Sequence, residues 1–380
     1  MKPNRPAFLE FFAGAGLVRL ALEPQWRCAW ANDVSEKKAA VYRANFGEAE
    51  LHVGDVARVE ADELPNAQLA WASFPCQDLS LAGWRRGISA PRSGTFWQFW
   101  RLMREMGARR PPLIVLENVV GLLHGASFGG LCEALADLDL RFGAMVIDAK
   151  WFLPQSRPRV FVVAVDASVD VTPWSGPEEV RTAVRQAFDA LPAPLRERWV
   201  WWRMAPPAAR VPAIRSLIEA NGAAPEWFDP AEVERLRGMM TKANGEKLER
   251  ALERPERSVG FLYRRTREGK QRAEVRFDGL AGCLRTPEGG SSRQTVVVVE
   301  DGEVRMRLLS AREAARLMGA PDSFELPERY NDAYRAMGDG VAVPAVRWLS
   351  EELLLPLVGT VGNGGPAWAS AQEVPSTPPG

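Results

Sequence analysis

At 380 residues the chain exceeds the size at which one hydrophobic core stops growing, so a large domain with a smaller companion is expected. Its 46% hydrophobic and 25% charged residues are those of an ordinary globular chain, no apolar run is long enough to span a bilayer, and residues 1–6 leave no room for a secretory signal; a cytoplasmic, non-membrane protein is the expectation. The formal net charge is zero, so whole-chain charge gives no sign of a nucleic-acid partner and local charge must decide.

From residue 8 to 165, apolar runs at 8–12, 28–31, 69–74, 113–116 and 160–165 alternate with helix-like stretches and end in Gly, Pro or Asp. That alternation predicts repeated strand–helix units and a mainly parallel sheet with helices on both faces, hence an α/β fold that binds ligands at strand carboxyl ends. After Asp166 the pattern breaks into a Pro- and Gly-rich stretch with Trp174, Trp199, Trp201, Trp202 and Trp227, which are read as core residues, and an Arg-rich segment from Arg254 to Arg293. Helices are predicted at 308–318 and at 341–355, the second stopped by Pro356. The Gly-, Pro-, Ala- and Ser-rich end, residues 359–380, is expected to be disordered.

Four segments carry candidate chemistry. In Phe11-Phe12-Ala13-Gly14-Ala15-Gly16-Leu17 a strand-like run enters small residues and then a helix, which allows close backbone approach to a ligand or simply tight packing. Asp33 and Asp55 follow the next two runs, where carboxylates accept bonds from ribose hydroxyls and an adenine amine or else cap helices. Cys76 stands directly after Pro75 at the end of a run, ahead of a basic loop with Arg85, Arg86 and Arg92; a nucleophile beneath such a loop suits attack on a nucleic-acid base, whereas a lone cysteine is more often a buried hydrophobe. Glu117-Asn118 ends a buried run, where a charge is costly unless used or paired, and Arg157 and Arg159, two residues apart at a strand start, are expected to face one polar target. The four cysteines, Cys28, Cys76, Cys132 and Cys283, lack CxxC spacing and companion histidines, so free thiols are expected and no metal site.

The ordered set of Phe12-Ala13-Gly14-Ala15-Gly16-Leu17, Asn32-Asp33, Gly54-Asp55-Val56, Pro75-Cys76-Gln77, Glu117-Asn118-Val119, Gln155-Ser156-Arg157-Pro158-Arg159, Arg307 to Ala314 and Gly338 to Pro344 resembles the C5-cytosine DNA methyltransferases of bacterial type, over nearly the whole chain. The resemblance implies a Rossmann-like, S-adenosylmethionine-dependent methyltransferase domain, residues 1–166 and 325–358. It also implies a smaller, irregular target-recognition domain, residues 167–324, whose stretch from about 167 to 305 carries sequence specificity.

By the same resemblance, Phe12, Gly14, Ala15, Gly16, Leu17, Asp33, Asp55, Val56, Pro75 and Asp339 meet S-adenosylmethionine, which leaves as S-adenosylhomocysteine. Cys76 is then the nucleophile, Glu117 grips the cytosine, and Arg157 and Arg159 steady the base and the loop. Gln77, Arg85, Arg86, Arg92, Arg285, Thr286, Ser291, Ser292, Arg293 and Gln294 are the candidates for contact with double-stranded DNA. Asp339 stands where the family more often has asparagine. A monomer, with a companion restriction endonuclease, is implied as well. RNA cytosine methylation and a catalytically dead DNA-binding protein are the alternatives, the first opposed by the long variable region and the second by intact Cys76, Glu117, Arg157 and Arg159.

Overall fold

The computed structural model describes residues 5–23, 25–75, 94–124, 126–177, 182–208, 210–219, 225–267, 269–284 and 293–361. The apolar runs become strands β1 (Ala7–Phe11), β2 (Arg27–Asp33), β4 (Leu69–Ala72), β5 (Leu113–Val119) and β7 (Pro158–Asp166), joined by the short β3 (Leu51–Val53) and by β6 (Leu140–Asp148). They form one seven-stranded sheet in the order β3-β2-β1-β4-β5-β7-β6. The first five strands of that order pair in parallel, as expected. The run at 160–165 departs from the reading as a strand–helix repeat, because β7 pairs antiparallel with both β5 and β6. Residues 149–157 between β6 and β7 hold only a 3-10 turn, so the chain has no crossover helix with which to return in parallel. Arg141 and Gly143 interrupt the apolar pattern of β6, and Gly143 is required because a Cβ there would overlap the Val200 carbonyl oxygen.

Successive strand residues alternate between two cores. Leu9, Phe11, Ala70, Ala72, Ile114 and Leu116 face α3 (Thr95–Glu105) and α4 (Ala126–Asp137). Phe8, Leu69, Trp71, Leu113 and Val115 face α1 (Leu17–Leu22), α2 (Glu36–Phe46) and the carboxyl-terminal helices. The same alternation turns Glu10 inward on the second face, where it is fully buried.

Beyond residue 166, α5 (Ala183–Asp189) and α6 (Ala193–Glu197) pack into the core of the first sheet, whereas α7 (Pro230–Gly238) and α8 (Lys242–Leu252) pack in a separate core. Strands β8 (Ser258–Arg267), β9 (Lys270–Arg276), β10 (Thr295–Glu300) and β11 (Glu303–Leu308) form a four-stranded sheet in the order β11-β10-β8-β9, antiparallel throughout. Val297, Val299, Leu262 and Val275 on one face pack with α7 and α8, while Val296, Val298 and Phe261 continue the core of the first sheet. Trp199 and Trp201 join Phe188 in an aromatic cluster, in keeping with a packing role.

The helix expected from 308 begins instead at Ala311 as α9 (Ala311–Leu317). Leu308 ends β11, and the Ser310 hydroxyl with the Glu313 carboxylate closes a capping box that fixes the start. After α10 (Tyr330–Asp339) come α11 (Val343–Leu349), a π turn at Ser350–Leu354 and α12 (Leu355–Val361). Pro356 does not stop this helix: the wide π turn precedes it, and it occupies the first turn of α12, where a missing N–H is tolerated. Residues 359–361 of the expected disordered end thus belong to α12, and residues 362–380 lie outside the described residues. The carboxyl-terminal helices return to the first sheet, where Trp26 Nε1 donates to Ser350 Oγ at 2.7 Å. Among the described residues, no helix is long and apolar enough to cross a membrane.

Candidate active site

At the carboxyl end of β1 the backbone is bent tightly. Phe12, Gly14 and Gly16 alternate in the left-handed region, with φ of 59°, 59° and 81°. For Phe12 that conformation is strained, which marks a site the fold holds by other means. The turn is clamped by Ala13 N–H donating to the Asn32 carbonyl at 2.8 Å and by Gly16 N–H donating to the Ala13 carbonyl at 2.9 Å. A Cβ at Gly16 would overlap the rings of Phe46 and Tyr42, whereas one at Gly14 would meet nothing within 4 Å among the described residues, which leave space there.

Asp33 ends β2 directly beside this turn and is 6% exposed. One carboxylate oxygen accepts from Gly14 N–H and the other from Ser35 N–H, each at 2.8 Å. A carboxylate offers about four lone-pair directions, so Asp33 retains capacity for a ligand while fixing the glycine turn. Asp55 is exposed and accepts from Ala57 N–H at 2.9 Å, the capping role weighed for it from sequence, while Val56 beside it is buried. Asp339, at the end of α10, pairs with Lys38 of α2 at 2.8 Å. The carboxylate in place of the usual amide thus meets a cation on the helix that follows Asp33.

A second group of residues gathers where β4 and β5 end and β7 begins. Glu117 is 7% exposed, and burial pushes its carboxyl above the usual range, opposed by Arg159, by Arg157 and by a hydrogen bond from Ser73. Arg159 Nε approaches Glu117 Oε1 at 3.3 Å. Asn118 Nδ2 donates to the Phe74 carbonyl at 2.9 Å, tethering the chain two residues before Cys76 to the tip of β5.

Arg157 and Arg159 do not both turn to the carboxylate. Arg157 is 2% exposed and donates to the carbonyls of Leu284 at 2.9 Å, Gly338 at 2.8 Å and Gly340 at 2.5 Å. Strand β7 begins at Pro158, so the alternation of strand residues does not reach back to Arg157. The polar atom both arginines meet is Cys283 Sγ, 3.3 Å from Arg157 Nη1 and 3.8 Å from Arg159 Nη2.

The sequence model of the C-5 cytosine-specific DNA methylase family matches residues 7–354. The chain belongs to this family. It is a DNA (cytosine-5-)-methyltransferase, and its substrate is DNA. Over 350 residues it is 27% identical to the type II methyltransferase M.HhaI of Haemophilus parahaemolyticus, an alignment that covers 90% of this chain and 92% of the relative. It is 26% identical over 357 residues to the type II methyltransferase M.BsuFI of Bacillus subtilis, with 92% and 73% covered. Two solved structures share the fold over 93% of this chain and 99% of their own. They are the methyltransferase EhMeth of Entamoeba histolytica (16% identity, TM-score 0.62) and the Dnmt2 methyltransferase of S. pombe (18% identity, TM-score 0.59).

Several residues expected to act in this methyltransferase, namely Cys76, Gln77, Arg85, Arg86, Arg92, Arg285, Thr286, Ser291 and Ser292, lie outside the described residues. Arg293 stacks over the Tyr330 ring at 5.2 Å and bonds to Asn331, which holds it at the surface. Gln294, expected at the DNA, is 3% exposed; its amide bonds to both N–H and carbonyl of Gly282, at 2.9 and 2.7 Å. With both ends of its amide bonded to Gly282, Gln294 braces the chain before Cys283. Residues that sequence reasoning passed over are Asn118 as the tether of Phe74, Lys38 as the partner of Asp339, and Cys283. Asn118 was visible as the companion of Glu117, whereas nothing in the sequence links Cys283 to residues more than a hundred positions away. Among the described residues, no group of three His, Cys, Asp or Glu side chains is placed to hold a metal ion.

Proposed function

We propose that the protein transfers a methyl group from S-adenosylmethionine to carbon 5 of a cytosine flipped out of duplex DNA, through a covalent adduct with Cys76. The observation that carries this reading is the buried Glu117, its carboxyl pushed up by burial and met by Arg159, at a strand tip tied by Asn118 to the chain entering Pro75-Cys76.

The turn from Phe12 to Leu17, with space left at Gly14 by the described residues and a clamped Asp33 beside it, fits a ligand carrying a ribose and a charged tail. Phe12, Gly14, Ala15, Gly16, Leu17, Asp33, Asp55, Val56, Pro75 and Asp339 would hold S-adenosylmethionine, which supplies an electrophilic methyl group when bound. Carbon 5 of cytosine is a weak nucleophile, so the protein must first activate the ring. The Cys76 thiolate adds to carbon 6 while Glu117, in its protonated form, donates to ring nitrogen 3; electron density moves to carbon 5, which takes the methyl group. Removal of the carbon-5 proton then expels the thiolate and restores the ring. A stacked base exposes none of these atoms, which requires flipping.

Residues 1–166 with 325–358 would form the catalytic unit and 167–324 the recognition unit, with Arg85, Arg86, Arg92, Arg285, Thr286, Ser291, Ser292 and Arg293 toward the DNA. The protein would act as a monomer beside a restriction endonuclease, the latter in keeping with the type II names of its relatives.

Conversion-based sequencing of DNA from cells expressing the protein identifies the methylated motif. Duplexes carrying 5-fluorocytosine in that motif then trap the enzyme, because fluorine cannot leave as a cation. A complex that survives denaturing electrophoresis, requires S-adenosylmethionine, disappears in Cys76→Ser and persists in Cys28→Ser, Cys132→Ser and Cys283→Ser is expected. Trapping that maps to another cysteine, or an active Cys76→Ser, overturns the mechanism.

A further inference from the structure

Cys283 is a half-buried thiol among cations, more than a hundred residues from the arginines it touches. We infer that Cys283 is a positioning residue for methyl transfer, its sulfur fixing Arg159 against the carboxylate of Glu117. The inference rests on the reading of Glu117 as the group that meets the cytosine.

Arg159 uses each of its nitrogens differently. Nη1 donates to the neighbouring Pro158 carbonyl at 2.9 Å, Nε faces Glu117 at 3.3 Å, and Nη2 points at Cys283 Sγ at 3.8 Å. Among the described residues, Cys283 is the acceptor on the Nη2 side. A long arginine side chain has many rotamers to lose, and one contact to a carboxylate does not fix its plane; a second acceptor on the opposite edge does.

The sulfur is itself held. Arg157, locked by three carbonyls, donates to it at 3.3 Å. The backbone around Cys283 is pinned to the segment leading into β7: Ala281 N–H donates to the Pro154 carbonyl at 2.8 Å, Ser156 N–H to the Ala281 carbonyl at 3.0 Å, and Leu284 N–H to Gln155 Oε1 at 3.3 Å. Cys283 therefore stands where chain from the second sheet meets chain from the first, so its place sets how both are registered at Glu117.

The residue type suits the task. A carboxylate at 283 would compete with Glu117 for Arg159, an alanine would leave Nη2 without this acceptor, and a thiol accepts weakly from both guanidinium groups without drawing either away.

The charged and titratable groups facing Glu117 among the described residues are Arg159 and Arg157 from the β7 segment, with the Ser73 hydroxyl after β4. Loosening Arg159 weakens the largest influence opposing burial, so the Glu117 limb of the pH–rate profile moves to higher pH.

The test compares Cys283→Val, Cys283→Ala and Cys283→Ser with the wild-type enzyme and with Glu117→Gln. Single-turnover methyl transfer, KM for duplex DNA, the pH–rate profile and the melting temperature are measured for each. Cys283→Val and Cys283→Ala are expected to lower kcat about fivefold to tenfold, the effect of losing two weak sulfur hydrogen bonds to guanidinium groups, with KM for DNA unchanged and the profile moved upward. Cys283→Ser, which keeps an acceptor, restores the wild-type kcat and profile. The inference is overturned if Val and Ala match wild type, or if Ser is as slow as both. Glu117→Gln separates the two readings: if it is inactive while Val and Ala are unaffected, only the role of Cys283 falls, and if it keeps full activity, the reading of Glu117 falls with it.

Discussion

Replacing Asp33 by alanine strips two acceptors from a nearly buried corner, leaving the N–H groups of Gly14 and Ser35 unmatched, each of which donates to it at 2.8 Å. A buried donor left without a partner costs about 1–3 kcal/mol, and hydrogen bonds to a charged group lie at the upper end. Some of that loss falls on stability and some on the shape of the turn at Gly14, and the contact proposed between Asp33 and the ribose would be lost as well. A fall of about 3 kcal/mol in S-adenosylmethionine binding is expected, roughly a hundredfold in Kd. Asp339→Ala is the comparison: it removes a part-exposed pair with Lys38, and such pairs contribute about 0.2–1 kcal/mol. Calorimetric titration of both variants with S-adenosylmethionine measures the difference. Melting curves without ligand show how much of the Asp33 effect is plain destabilisation. If Asp33→Ala binds within about threefold of wild type, a deficit under 1 kcal/mol, or if Asp339→Ala is the more damaging change, the assignment of Asp33 to the cofactor is wrong.

Two further outcomes are expected. Glu10 is fully buried on the face toward α1 and α2, neither carboxyl oxygen has a well-formed hydrogen bond among the described residues, and burial, opposed by Arg19, pushes its carboxyl up to about 8 from 4.5. A raised carboxyl contributes its stability below the unfolded value and loses it as pH climbs through the folded one, so the wild-type melting temperature should fall between about pH 5 and pH 8, each pH unit costing up to about 1.4 kcal/mol. Glu10→Gln should flatten that slope, and an equally steep slope in the variant would show that Glu10 is not its source. Exchanging residues 167–305 for the matching region of a relative with a different target should change the methylated motif while leaving trapping by 5-fluorocytosine intact; an unchanged motif would place recognition elsewhere.

The parts of this fold that sequence made legible are those where local chemistry and tertiary position coincide. A parallel strand buried on both faces reads as an apolar run, and ligand-binding residues cluster at its carboxyl end because the sheet opens there. Asp33, Glu117 and the turn from Phe12 to Leu17 stand at such strand ends, which is why sequence singled them out. The direction of β7 was not legible, since an apolar run looks the same whichever way it enters the sheet and the deciding fact, a connection without a crossover helix, lies in residues 149–157. Pro356 shows the same limit: it predicts a stop only if the preceding turn is regular, and the π turn at Ser350–Leu354 makes room for it.

Arg157 and Arg159 meet one sulfur, as their spacing allows, but reach it by different routes that spacing alone does not reveal. Two positions apart, they share a face only if both lie in the strand; because β7 starts at Pro158, Arg157 is free to enter the protein, where three backbone carbonyls replace the water around its charge. Two of those carbonyls belong to Gly338 and Gly340, on either side of Asp339, whose carboxylate pairs with Lys38 on the helix after Asp33. Arg157 thus ties the segment beside the cofactor candidates to the segment that carries Arg159 and faces Glu117. A motif spread over the whole chain acquires a physical reason in this connection, for the residue that holds the two ends together bonds to neither Glu117 nor Asp33 and is set by carbonyls that no side-chain pattern reveals.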